Sequence, residues 1–311
     1  MGGINFTSAA LIASVRRRAM APTSQLLFTD DELAAILTEE LHADIVPLLM
    51  KEQEDFLVQN YDQAIDTSVN VYYLPPRAVG GKLRDVVLVD ATGNEVDFPR
   101  IGDQQSKQAP LVVNVRTQGW VFEMDRVKIL PNAQGLGSFT LRMKFYRRPN
   151  NIVKTSSAGQ ITAINTGTRE VTLGNAPSSW TASTLFDVIQ GTPFFRAWGE
   201  DQAISGIAGS VLTFSALPTG MAVGDWVAEQ GFSPIAQIPY ELHNILAQRA
   251  VIKVLEDMGD KAGMDNAVEV YTDMAEKFRA LVSPRSDGTP QKLVSGGGIG
   301  AFVRGNSRRF Y

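Results

Sequence analysis

The sequence predicts an α+β protein, a helical core packed with an antiparallel sheet and carrying an inserted small β domain. Three observations point there. Apolar residues recur at three- and four-residue steps near both ends of the chain, as one buried helix face requires. Between them lie short runs in which apolar and polar residues alternate, the pattern of a half-buried strand. From about residue 152 to 234 the chain turns rich in Gly, Ser, Thr and Ala, poor in Lys and Arg, and contains an internal repeat.

The first helix is expected over residues 8–20, with a break at Pro22. A second opens at Thr29, where Thr29-Asp30-Asp31-Glu32 has the capping-box form. Leu33, Ile36, Leu37, Leu41, Ile45, Leu48 and Leu49 then make one apolar stripe. Pro47 lies inside it, so a kink is expected there, with helix fading by about residue 58. Strands follow around Val69, Val71 and Tyr73, over 86–89 and 95–98 as a hairpin about Gly93-Asn94, and over 111–115, 120–124 and 127–130. Phe139, Leu141, Met143 and Phe145 alternate with Thr140, Arg142, Lys144 and Tyr146, giving a strand with one buried and one solvated face.

In the repeat, Ile161 to Ile164 matches Ile204 to Ile207, and Val171-Thr172-Leu173 matches Leu212-Thr213-Phe214. Asp187 with Gln190-Gly191 matches Asp225 with Gln230-Gly231. Two copies are too few for a solenoid, so a small β domain with approximate two-fold symmetry is expected. Helix returns at Pro239, breaks at Gly259 to Gly263, and ends before Pro284 as an αα-hairpin. The expected organisation is a core of 1–150 and 239–285, an inserted β domain of 151–238, and an extended C-terminal tail of 286–311.

Hydrophobic residues are 44% of the 311 and charged residues 20%, ordinary globular values that exclude wholesale disorder. The lack of cysteine excludes disulfides, thiolate metal sites and a cysteine nucleophile. The start lacks the charged and apolar regions of a signal peptide. No apolar run approaches the ~20 residues needed to span a bilayer, so a soluble protein without a membrane partner is expected. Net charge is −4, but both ends are basic and the middle is acidic. Arg16, Arg17 and Arg18 stand alone in the first 28 residues, while five basic residues face Asp287 after residue 282. Such ends fit acidic partners.

Catalytic patterns are missing. His42 and His243, the two histidines, belong to no H-E-x-x-H arrangement, and helix-surface positions are expected for both. Gly296-Gly297-Gly298-Ile299-Gly300 has the spacing of neither nucleotide-binding loop. Asp30, Asp31, Glu39, Glu40, Glu52, Glu54 and Asp55 crowd the second helix, where acids complement the dipole and solvate the outer face. No acid/base pair is singled out, and no enzyme, metal or cofactor is expected.

Several short motifs carry a resemblance. They are Arg16 to Thr23, the capped helix from Thr29, Tyr73-Leu74-Pro75-Pro76-Arg77-Ala78 with Gly81-Lys82-Leu83-Arg84-Asp85, Pro99-Arg100-Ile101, and Tyr146-Arg147-Arg148-Pro149. Together they resemble the head-to-tail adaptor (connector) proteins of tailed bacteriophages, over roughly residues 8–150 and 239–285. The resemblance implies a structural virion protein at the head-tail neck, made in the host bacterial cytoplasm. It implies a homo-oligomeric ring, commonly of twelve copies, that joins portal protein to tail or neck proteins and forms part of the DNA passage. It also implies that the C-terminal tail docks on the portal. Ile299, Phe302, Val303, Phe310 and Tyr311 would be the anchors, and Arg304, Arg308 and Arg309 the ion-pair partners. Arg16, Arg17 and Arg18 would face a subunit interface or non-specifically contact DNA in the lumen. Three consecutive residues span most of a helix circumference, so all three cannot face one partner. The alternatives are a downstream stopper or tail-tube protein, or a glycan-binding or decoration module carried by the β domain. Trp180, Trp198 and Trp226 are available for the last, although their apolar neighbours suggest core positions.

Overall fold

The computed structural model describes residues 6–21, 28–101 and 118–282. The strand expected over 111–115 and all eight expected tail contacts, Ile299 to Tyr311, lie outside the described residues.

Helix α1 (Ser8–Arg18) opens where the Ser8 amide donates to the Pro234 carbonyl at 2.7 Å. Helix α2 (Asp30–Glu40) starts from a complete capping box. The Thr29 hydroxyl accepts from the Glu32 amide at 3.2 Å, and the Glu32 carboxylate accepts from the Thr29 amide at 2.6 Å. Two otherwise open donors are thereby satisfied. The kink at Pro47 takes the form of a π turn, Leu41–Ile45, leading into α3 (Val46–Glu52). Pro47 has no amide to give and its ring crowds the carbonyl four residues back, so the helix widens just ahead of it. Leu33, Leu37, Leu41, Ile45 and Leu49 keep four-residue spacing through the turn, and all are buried. Helix α4 (Leu242–Met258) is separated from α5 (Lys261–Val282) by Gly259, whose φ of 72° places it in the left-handed region that favours glycine.

Among the described residues before Arg148 there are seven strands: β1 (Val58–Ala64), β2 (Val71–Tyr73), β3 (Ala78–Val89), β4 (Glu95–Asp97), β5 (Gly119–Glu123), β6 (Arg126–Leu130) and β7 (Thr140–Arg147). They form a four-stranded sheet in the order β1-β7-β3-β4 and a three-stranded sheet in the order β2-β6-β5. Leu141 and Met143 of β7 share one apolar core with Val127 and Ile129 of β6 and with Trp120 of β5. The outer face of the larger sheet is a ladder of charge. Arg142 bonds Asp62 of β1 (2.7 Å) and Glu95 of β4 (3.1 Å), and Lys144 bonds Glu95 (2.6 Å). Tyr146 departs from the solvated face expected of it. It is buried, and its hydroxyl donates to Glu54 at 3.0 Å.

The repeat closes into a six-stranded antiparallel barrel of β9 (Gly159–Asn165), β10 (Glu170–Leu173), β11 (Leu185–Ile189), β12 (Ala197–Ala208), β13 (Val211–Phe214) and β14 (Trp226–Glu229). The strand order is β10-β13-β12-β11-β14-β9. Exchanging each strand for its counterpart in the other copy leaves this order unchanged. Corresponding residues meet across the axis, Val171 of β10 opposite Leu212 of β13. Val171, Leu173, Phe186, Leu212, Phe214 and Val227 fill the interior. A short parallel pair, β8 (Asn151–Ile152) with β15 (Phe232–Ser233), joins the two chain crossings at its base.

These observations overturn the expected helical core packed with a sheet. The molecule is a strand-rich α+β protein, and its helices form only one of several separate apolar cores. Helices α1 to α5 bury their stripes mainly against one another and against Ile152, Ala236 and Ile238. The apolar face of β7, which the sequence reading assigned to the helices, is covered instead by the second sheet. A face that a twisted sheet can fill needs no helix.

Candidate functional site

The motif residues Arg77 and Arg147 converge on the barrel. Arg77 grips Asp187 with both guanidinium arms, at 2.7 and 3.1 Å, and also bonds Asp201. Asp187 is fully buried, and accepts further hydrogen bonds from the Asn150 side-chain Nδ2 (2.6 Å) and the Gly231 main chain (2.9 Å). Burial opposes the Arg77 charge, but Asp187, Glu200 and Asp201 outweigh it and hold the guanidinium pKa above its ordinary value. Arg147 bonds Glu200, the Gln237 side-chain oxygen (2.9 Å) and Asn150 (2.7 Å). The two-fold repeat has its own part in this network. Asp187 accepts from Gly231 of the second copy, while its counterpart Asp225 accepts from Gly191 of the first at 2.8 Å. Bidentate, fully hydrogen-bonded pairs of this kind fix geometry. Their role here is to clamp the barrel to the sheets.

Beside the clamp runs a cleft of about 480 Å³, lined by Asp55, Gln59, Arg84, Arg147, Arg196 and Gln237 among others. Its wall includes the start of β1, an outermost strand of its sheet. The Gln237 oxygen accepts from Arg147 and from the Asn150 amide (2.8 Å), which fixes the orientation of the side-chain amide. Its Nε2 is buried without a partner among the described residues. Arg84 pairs with Asp55, while Arg196 lies over the Phe194 ring at 5.5 Å and has no carboxylate partner among the described residues. An open strand edge beside surplus donors suits an extended chain bearing carbonyl or carboxylate oxygens.

The arginine cluster is divided. Arg16 bonds Asp30 (2.7 Å) and the Phe28 carbonyl (2.7 Å), and Arg18 bonds Asn244 and Gln248 (3.1 and 3.2 Å). Arg17 alone of the three is exposed. Most of the acids crowded around α2 and α3 are also occupied: Asp31 with Lys154, Glu40 with Arg249, Glu54 with Tyr146 and Asp55 with Arg84. No group of three or more His, Asp or Glu is placed to hold a metal ion among the described residues.

His243 corrects the expected helix-surface position. It is buried between Phe6 (4.7 Å) and Phe195 (4.9 Å), and neither ring nitrogen has a hydrogen bond of normal geometry. Burial lowers its pKa to about 4, with the Ile238 main chain acting slightly in the opposite sense. His42 is half-buried and lies 3.1 Å from the Asn151 side-chain oxygen. Trp180 takes the core position expected of it, and Trp198 packs on that core while donating to Asp225 at 2.9 Å. Trp226 is half-buried at the barrel rim.

Sequence reasoning missed Gln237 and β1. Gln237 is one polar residue between Ala236 and Ile238, both buried, and a lone polar side chain in an apolar run was the available signal. Neither protein-family models nor curated proteins match the chain.

Proposed function

We propose that this chain is a structural subunit of the neck of a tailed-bacteriophage particle, one copy in a head-to-tail adaptor ring between portal and tail. The single observation that carries the reading is how the ionisable side chains are used. The residues of the resemblance motifs, Arg77 and Arg147, are spent on clamping one part of the chain to another. Outward, the chain offers an open strand edge beside a donor-rich cleft and a long helix, α5, packed along one stripe. A subunit that transmits force between partners needs internal rigidity and outward docking surfaces.

In this reading residues 299–311 reach the portal, with Arg304, Arg308 and Arg309 as ion-pair partners, and ring multiplicity adds many weak copies of the contact together. Of the basic cluster, Arg17 is the residue free to meet a neighbouring subunit or passing DNA. The role is mechanical rather than catalytic.

A pull-down from infected-cell lysate tests this, using the full chain and a version ending at Ser283. Portal protein retained by the full chain and lost on truncation is the expected result. Retention by both would move the contact to the described residues. Portal absent from both would sink the adaptor reading.

A further inference from the structure

A second cleft, of about 620 Å³, lies where the N-terminal segment meets the rim of the barrel. That is within the range of small-molecule sites, about 300–1,000 Å³. Its chemistry is unlike that of the cleft beside β1, because among the described residues no ionisable side chain lines it. Its floor is apolar: Phe6, Phe195 and Ile235 pack together, with the half-buried Trp226 against them. Its rim is polar but neutral. Thr155, Gln160 and Thr192 stand around it. Gln160 uses its Nε2 on the Gly224 carbonyl (3.2 Å), which leaves its side-chain oxygen as an acceptor. The Trp226 indole N–H makes no hydrogen bond within the described residues and is not among the buried unpartnered groups.

Bare main chain completes the wall. A Cβ at Gly191 would come within 2.9 Å of the Gly224 carbonyl oxygen, and Gly224 itself has a φ of +97°, so neither position accepts a side chain without strain. Both glycines border the buried Asp225, whose carboxylate holds the Gly191 amide. The wall is therefore fixed by the same repeat geometry that closes the barrel.

We propose that this cleft binds a neutral saccharide. The argument is one of matching. An anion would meet no cationic side chain there, and a cation no carboxylate. A purely apolar ligand would offer no partner to the half-buried Trp226 N–H and Thr155 hydroxyl that it covers, at a cost. A sugar ring has an apolar face for the aromatic floor and hydroxyls that both donate and accept for the neutral rim. Trp offers the same combination, an apolar body with one polar edge. The inference is independent of the adaptor reading, since a neck protein and a free binding module would use the cleft alike.

Isothermal titration calorimetry of the full chain tests it, with maltotriose, cellotriose, triacetylchitotriose and inorganic phosphate as probes. At least one trisaccharide binds saturably with a Kd of millimolar order or tighter, about −4 kcal/mol or better, and phosphate gives no heat of binding. Ala9→Trp places bulk from the exposed face of α1 at the cleft mouth without changing any barrel residue. It weakens binding by about tenfold or more at unchanged Tm. Thr155→Ala weakens it less, again with the fold intact. No saturable heat from any trisaccharide up to about 10 mM would overturn the proposal, as would binding that both variants leave untouched. Portal capture by the Ala9→Trp chain is expected to be unchanged, so failure here leaves the adaptor reading separately testable.

Discussion

The helical bundle and the β-barrel are held in place by opposite means. The bundle is tied by a ladder of leucines and isoleucines at four-residue spacing, from Leu33 to Leu49, against Leu242, Ile245 and Leu246 of α4. The barrel spends most of its apolar residues on its own interior, so it offers the rest of the molecule only a small apolar contact, Phe195 and Trp226 against Phe6 and Ile235. It is attached mainly by polar groups, the buried Asp187, Asn150, Arg147 and Gln237 with the half-buried Arg77 and Glu200. A closed module inserted into a chain needs directional contacts to fix its orientation, whereas an amphipathic helix is oriented by its stripe. The two attachments also fail differently. Apolar packing degrades in proportion to the atoms removed, while a buried charge that loses its partner is left uncompensated.

Arg77→Met is therefore expected to have the largest effect. It leaves the Asp187 carboxylate buried and unpaired, at a cost of about 3–5 kcal/mol, read as a lower urea midpoint. The double variant Arg77→Met with Asp187→Leu is expected to recover part of that loss, because the unpaired carboxylate is then gone. If the double variant is as unstable as the sum of both singles, the clamp is not a coupled pair. Leu41→Ala, in the π turn of the bundle, is expected to cost about 2–5 kcal/mol without shifting the barrel's own unfolding signal.

The pH dependence sharpens the comparison at the junction of both regions, where His243 of α4 lies between Phe6 and Phe195. Its folded value, about 4, is below the unfolded value of about 6.5, so the unfolded chain takes up the proton first. Stability from the buried neutral ring is full above about pH 6.5 and is lost as pH falls through about 4, by about 3 kcal/mol. Urea titrations at a series of pH values should show this slope, and His243→Leu should flatten it; an unchanged slope would assign the acid sensitivity to carboxylates. The smallest effect is expected at the cap of α2, where Thr29→Ala should cost about 1 kcal/mol.

The same contrast explains what could be read from the sequence. Helices α1, α2, α4 and α5 were legible because their signals are local: the capping box at Thr29, the apolar steps from Leu33, the break at Gly259. The two-fold repeat was legible as matched strands. Strand β1 was not, because Val58, Gln59, Asn60, Tyr61, Asp62, Gln63 and Ala64 carry no apolar alternation. Its place comes from pairing with β7 along its whole length and from Asp62 meeting Arg142. The arginines of the clamp stood in the motifs, but their partners lie 110 and 53 residues away, from Arg77 to Asp187 and from Arg147 to Glu200. The helix-surface expectation for His243 failed for the same reason, since Phe6 and Phe195 come from distant segments. Strands β2, β5 and β6 were legible, but not that they form a separate sheet, since a helix could have covered the same apolar face.

The central claim, a mechanical subunit at the head-tail neck, is tested most directly by electron cryomicroscopy of the assembled particle. The account predicts a ring of copies between portal and tail, with each barrel clamped through Arg77 and residues 299–311 lying against the portal. A neck that contains no copy of this chain would contradict it.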